Sequence, residues 1–393
     1  MAIYLDHAAT TPLRPEALEA MLPYLTESFG NPSSIHGFGR RARAGLDEAR
    51  ERLAARLGAQ PREIVFTSGG TEAINLALKG AAWAGKGRGH RIVTTAVEHH
   101  AVTHTLRYLE KFGFEVVTLG VDRYGRVDPD DVEAALTDRT ILVAVQLANN
   151  EVGTIQPVAE IGRRVREHRG VVLAVDAVQA APYVDINVAE LGAHFVAIAG
   201  HKLEGPKGSG ALWVRHGTHL LAQQHGGSQE RHRRAGTEDV AAAVGMAVAY
   251  DLACDERPAT VRRLRRLRGK VSSALLAVSG TELTGHPTDR LPGHLSFIVR
   301  DTDGAAVVAA LDLEGIACST GSACTTGSTE VSHVLTAMAY PDEEARGSLR
   351  LSLGRTTSDA DVDATAAIVP QVVERLRLAS VELRTEPIRQ AVL

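Results

Sequence analysis

The stretch VVLAVDAVQ (residues 171–179), read together with FVAIAGHKLEGPKG (residues 195–208), decides the fold. Each opens on an apolar, β-branched run and stops abruptly at polar groups, Asp176 and Gln179 in the first, His201 and Lys202 in the second. A strand covered on both faces has no reason to alternate apolar with polar residues, so such unbroken runs read as buried strands of a parallel sheet. Working outward, IVFT (64–67), RIVTT (91–95), EVVTL (115–119) and ILVAVQL (141–147) repeat the pattern. Amphipathic stretches such as TEAINLALKGAAW (71–83) and VAEIGRRVREH (158–168) alternate with them. Strands alternating with helical patterns predict an α/β sheet sandwiched by helices. GSGALWV (208–214) adds a seventh strand, expected to be antiparallel because only a tight turn precedes it.

Helical periodicity covers residues 14–27 and 38–57 ahead of the sheet. Composition shifts near Asp255–Pro258, and VRRLRRLRGKVSSALLAV (261–278) reads as a long helix. A domain boundary is expected there, giving a large domain of residues 13–257 and a smaller α+β domain of residues 1–12 and 258–393. LSFIV (295–299), SLRLSL (348–353) and a final helix from about 359 to 379 belong to the smaller unit, and the apolar run Leu311–Cys318 suggests a further strand. The arginines of 261–278 do not argue for nucleic acid, because Val261, Leu264, Leu267, Val271, Leu275 and Val278 recur at helical spacing and leave them on a solvated face.

A chain of 393 residues with 44% hydrophobic and 23% charged content can bury a large core, which excludes disorder and a disulfide scaffold. The net charge of -4 gives no global argument for nucleic acid or an anionic membrane. No run reaches the roughly 18 apolar residues that span a bilayer, and MAIYLDHAATTP (1–12) has no leader pattern, so a cytoplasmic protein is expected. Three cysteines (Cys254, Cys318, Cys324) cannot all pair, and in a reducing compartment they stay thiols. The Cys-x5-Cys spacing of the last two is poor for zinc, and no metal is expected.

Chemistry concentrates where strands end. SGGTE (68–72) lies between a strand and a helix; its backbone N–H groups at Gly69 and Gly70 with the Thr71 hydroxyl suit a phosphate, or simply cap the helix. Asp176 closes a buried strand, where it either needs a cationic partner such as a pyridinium nitrogen or caps the next helix. Lys202 stands just past a strand in a Gly/Pro-punctuated turn, placed to act as a Schiff-base nucleophile or to sit exposed in the turn, with Lys207 as its competitor. EHHAV (98–102) and ANNEVGT (148–154) are expected to bring His99 and Asn150 to the same sheet edge, although each taken singly reads as an ordinary loop residue.

These strings, in this order and joined by YLDHAATTP (4–12), GNPSS (30–34), HGG (225–227), RAGT (234–237), STGSACT (319–325) and SLGR (352–355), resemble the cysteine desulfurases of the NifS/IscS type. Those are pyridoxal-phosphate-dependent enzymes of fold type I in the class V aminotransferase group. The resemblance implies a mainly parallel seven-stranded sheet in the large domain and a small domain carrying a catalytic cysteine. It implies that Lys202 attaches the cofactor, Asp176 pairs with its ring nitrogen, His99 stacks on the ring and handles protons, and Gln179 meets the ring hydroxyl. Gly70, Thr71 and His201 become phosphate contacts, Thr237 a phosphate contact for the partner subunit of a homodimer with composite sites, and Asn150 and Arg355 the holders of the substrate carboxylate. Cys324 becomes the thiol that takes sulfur from L-cysteine and passes it, as a persulfide, to acceptor proteins of iron–sulfur assembly, tRNA thiolation or DNA phosphorothioation. Cys318, six residues earlier at the end of an apolar run, is expected to be packed and inert.

Two departures stand out. Ala199 replaces a serine that relatives often carry before Gly-His-Lys, removing one phosphate contact, and Glu204 replaces an aromatic residue, adding a negative charge near Lys202. The competing readings are a selenocysteine lyase or another class V enzyme, and a sulfur-relay scaffold without catalysis. Retention of Lys202, Asp176, His99 and Cys324 together argues against the scaffold.

Overall fold

The computed structural model describes residues 2–321 and 331–385. Its strands are β1 (Ile3–Tyr4), β2 (Ile64–Thr67), β3 (Arg91–Thr95), β4 (Glu115–Leu119), β5 (Thr140–Gln146), β6 (Val172–Asp176), β7 (Phe195–Ala199), β8 (Gly210–Val214), β9 (Thr281–Leu283), β10 (His294–Val299), β11 (Ile316–Ala317) and β12 (Ser348–Ser352). Seven of them form one sheet in the order β2-β8-β7-β6-β5-β3-β4. Strand β8 runs antiparallel to both β2 and β7, as the tight turn before it requires, and every other pairing in this sheet is parallel.

The unbroken apolar runs are explained by the two cores they serve. Val93, Val143 and Leu173 enter a cluster on one face of the sheet, while their neighbours Ile92, Leu142 and Ala174 enter a second on the other. Every residue of β5 is buried. Each large side chain so buried contributes about 1.5–3 kcal/mol, which fixes the strand register. That register brings Gln146 beside Asp176 and Asp176 beside Ala197, so the strand ends share one carboxyl edge.

A third cluster lies between the antiparallel sheet β12-β10-β9 and its helices, and Leu5 of the N-terminal segment packs into it beside Leu295, Phe297 and Leu351. Strand β1 pairs with β11, tying the N-terminal segment to this second body.

Two sequence expectations change. The helix read from residue 261 begins earlier: one helix, Val240–Leu276, runs through Asp255–Pro258 with Pro258 inside. Its first half sends Val240, Met246 and Tyr250 into the large sheet's core, and its second half sends Leu264, Leu267, Val271 and Leu275 into the third cluster. Burial at both ends outweighs the hydrogen bond lost at proline. The Leu311–Cys318 run is not one strand either: Leu311 lies in the last turn of a helix, Gly304–Leu313, started by the Asp303 side chain accepting from the N–H groups of Ala305 and Ala306, and only Ile316–Ala317 is extended.

Candidate active site

At the carboxyl edge of the large sheet a cavity of about 320 Å³ is lined by Gly70, Thr71, His99, Asn150, Asp176, Gln179, His201 and Lys202, residues that sequence reading drew from separate strings. The strand ends supply the convergence, since each residue stands at or just past the last buried position of β2, β3, β5, β6 or β7.

Asp176 is buried at the tip of β6, and its Oδ1 accepts from the Val178 N–H at 3.0 Å. Burial pushes its pKa up, against the opposing pull of His99 and Lys202. A carboxylate in that position is stabilised by any cation brought next to it. Lys202 follows β7 in a short turn, Gly200–Lys202, and its Nζ donates to the carbonyls of Ala8 and, at 2.7 Å, Ala9. Gln179 Nε2 reaches the same Ala8 carbonyl at 2.8 Å. The N-terminal segment thus forms one wall of the cavity, and Thr11 bonds the His201 carbonyl through both its N–H (3.0 Å) and its hydroxyl (2.8 Å). Lys207 is exposed and does not line the cavity, which leaves Lys202 as the candidate amine.

His99 caps the helix His100–Glu110, its Nδ1 accepting from the Ala101 N–H at 3.0 Å. That bond assigns the ring proton to Nε2 in the neutral form, and burial, the largest influence, holds the imidazole below its usual pKa. His201 is likewise lowered, to about 4, by burial and then by Lys202 and Lys207. It therefore offers a neutral ring, with Nδ1 3.2 Å from Thr10 Oγ1.

The helix Gly70–Gly85 starts at the cavity with no side chain capping its first N–H groups. A Cβ on Gly70 would come within 2.7 Å of Val178 Cγ2, so the chain's close approach here requires glycine. Glu72, at the start of this helix, accepts from the Ser68 N–H at 2.7 Å and from Arg234 Nε at 2.9 Å, tying this turn to the 234–237 segment. Thr237 itself is exposed and outside the cavity.

Two groups escaped the sequence reading. Arg350, from the middle of β12, reaches the cavity with 3% of its side chain exposed, bridging Asp6 (2.8 Å), the Asn150 carbonyl (2.9 Å) and the Gly321 carbonyl (3.3 Å). Its signal was an arginine inside the apolar run SLRLSL. Glu98, fully buried, accepts from Thr95 Oγ1 (2.7 Å) and the Gln146 N–H (3.0 Å), and burial pushes its pKa up to about 8.

Arg355 is not in this cavity. It lines an adjoining one that shares Lys202 and includes His7, Arg14 and Glu204. Cys324 lies outside the described residues. Cys318 is half-buried, and burial, reinforced by Asp6, raises its thiol to about 12, so it holds no appreciable thiolate at neutral pH. Among the described residues no group of three His, Cys, Asp or Glu side chains is placed to hold a metal, and no helix is long and apolar enough to cross a membrane.

An uncapped helix start for an anion, a buried carboxylate for a cationic ring nitrogen and a cavity lysine for a carbonyl carbon fit pyridoxal 5′-phosphate, and together with the sheet topology they define an enzyme of the fold-type I class that uses it. The family model for aminotransferase class-V matches residues 3–365. A protein called cysteine desulfurase IscS from Methanosarcina thermophila is 48% identical over 376 residues, covering 96% of this chain and 93% of that one. A solved structure described as a NifS-like protein superposes with a TM-score of 0.91 at 35% identity, over 96% of this chain and 100% of its own. Another, described as SspA in complex with cysteine, gives a TM-score of 0.80 at 33% identity over 89% and 98%. The chain belongs to the aminotransferase class-V family. It is a pyridoxal-phosphate-dependent enzyme.

Proposed function

We propose that this enzyme is a cysteine desulfurase that converts L-cysteine to L-alanine and keeps the sulfur as a persulfide on Cys324, for delivery to an acceptor protein. The reading rests on the meeting of Lys202, Asp176 and His99 in one cavity, and is supported by relatives at 44–48% identity that carry this name. When bound, the cofactor supplies an electron sink that weakens the bonds at the substrate's α and β carbons. The chain's own residues do the rest.

Asp176 holds the positive charge of the ring nitrogen in a site where burial has left the carboxylate seeking a cation. Gly70, Thr71 and His201 hold the phosphate at the helix start, and Ala199 contributes no hydroxyl there. His99, neutral and protonated on Nε2, covers the ring and carries protons between substrate atoms. Lys202 Nζ attaches the cofactor and, once released by substrate, moves the proton at the α carbon. Asn150 and Arg355 fix the substrate carboxylate, for which a guanidinium fork has matching geometry. In the sulfur step the Cys324 thiolate bonds to the substrate sulfur, the carbon–sulfur bond breaks, its electrons stay with the carbon skeleton and a proton completes alanine. No outside oxidant enters. Thr237, exposed on the 234–237 segment, serves the second subunit of a homodimer.

The test is mass spectrometry of thiol peptides after brief exposure of the holoenzyme to L-cysteine. One added sulfur is expected on Cys324 and none on Cys318, and Cys324→Ser should keep the yellow cofactor yet release almost no sulfide. Sulfur on Cys318 alone, or full activity in Cys324→Ser, overturns the assignment.

A further inference from the structure

Position 204 adopts a left-handed backbone, with φ 62. Glycine takes this conformation without strain and a residue with a side chain does not, so a buried non-glycine residue held there points to work done by its side chain. Glu204 is 7% exposed. Its carboxylate Oε2 accepts from Arg355 Nε at 2.5 Å and lies 3.4 Å from Arg14 Nε. Arg14 has 1% of its side chain exposed and is itself held by Glu256 at 2.7 Å, so the carboxylate is anchored from its far side. Arg355, by contrast, is 37% exposed at its side chain and has Glu204 as the single fixed point of its guanidinium among the described residues. Its Nη1 and Nη2 make no hydrogen bond among those residues.

We infer that Glu204 is a positioning residue for substrate recognition, holding Arg355 by Nε so that the Nη1–Nη2 end of the fork is presented to the carboxylate of an α-amino acid beside Lys202. The inference rests on the reading of Arg355 as the carboxylate holder. An arginine can bind a carboxylate through Nε and one Nη or through both Nη atoms; engaging Nε from behind removes the first mode and preserves the second. It also lowers the freedom that a long, partly exposed side chain loses on binding, so the gain appears in affinity. The added negative charge near Lys202 thereby has a place. It is paired with two arginines.

The backbone at 204 is held independently of its side chain, the N–H donating to Thr11 Oγ1 and the carbonyl accepting from the Arg14 N–H, both at 2.9 Å. Glu204→Gly therefore removes the carboxylate while relaxing the backbone, and Glu204→Gln keeps an acceptor for Arg355 Nε. In the holoenzyme, Glu204→Gly should raise KM for L-cysteine about tenfold with kcat within about twofold, the pattern of lost uniform binding. Spectral titration should show a matching loss of affinity for the product L-alanine and none for ethylamine, which lacks the carboxylate. Glu204→Gln should recover most of both. If Arg355→Ala raises KM and weakens L-alanine while Glu204→Gly changes neither, the positioning role is overturned and the carboxylate reading stands. If Arg355→Ala also leaves both unchanged, the carboxylate reading itself falls. A lower KM in Glu204→Gly makes Glu204 a competitor of substrate and overturns the inference, as does an equal loss of affinity for ethylamine.

Discussion

The carboxyl edge of the seven-stranded sheet and the strand β12 border the same cavity, yet they supply side chains to it by opposite means. On the large sheet, Asp176 and Lys202 stand where a strand stops, so that the strand's core packing ends just before the reactive group begins. On β12, Arg350 sits between Leu349 and Leu351, both fully buried, and its guanidinium is engaged by Asp6 and two backbone carbonyls. A group at a strand end faces a cavity and can exchange partners during a reaction. One in mid-strand is locked. The first region does chemistry; the second holds the wall of the site, joining Asp6 of the N-terminal segment to Asn150 and Gly321.

The sharpest test of that division is Lys202→Ala, which should abolish the visible band of covalently attached cofactor and lower turnover by on the order of 10³-fold or more, with folding retained. Lys207→Ala should leave both unchanged. A retained band in Lys202→Ala would place the attachment elsewhere and dissolve the contrast. Arg350→Leu should act mainly on stability, by roughly 3 kcal/mol in denaturant unfolding, because it strands Asp6 without its partner. Adding Asp6→Leu should restore part of that loss, and a failure to do so would show that Arg350 acts on the cofactor rather than on the wall.

A further effect is expected at Glu98, which bonds Thr95 and Gln146 at the sheet's carboxyl edge. Its folded pKa of about 8 lies above the 4.5 of an unperturbed glutamate, so between those values the folded chain binds a proton that the unfolded chain has lost. Stability therefore falls as pH rises from about 5 to 8. Thermal melts of Glu98→Gln should lose this pH dependence, and the variant's melting temperature relative to the original should climb with pH across that window. A constant difference would mean that Glu98 is ionised in the folded state.

The same division explains what could be read from the sequence. Strands buried on both faces announce themselves, and the residues just beyond them stand out, which is why Gly70, Thr71, His99, Asn150, Asp176, Gln179, His201 and Lys202 were legible and converge. Arg350 was not, since an arginine inside an apolar strand acquires meaning only from the groups the fold brings to it. Arg355 was legible as a motif residue, but its place in the adjoining cavity and its bond to Glu204 depend on the turn after β7 meeting the end of β12. The start of the helix Val240–Leu276 was not legible at residue 240, since the burial that carries it unbroken through Asp255–Pro258 comes from two cores far apart in sequence.

That helix also bears on how the chain melts. Unfolding the smaller body would strip Leu264, Leu267, Val271 and Leu275 of their cover and fray one end of a rod whose other end is seated under the large sheet. Loosening the larger body would do the same in reverse. Two hydrophobic cores that share one rod are thermodynamically linked, so local opening in either is resisted by packing in the other.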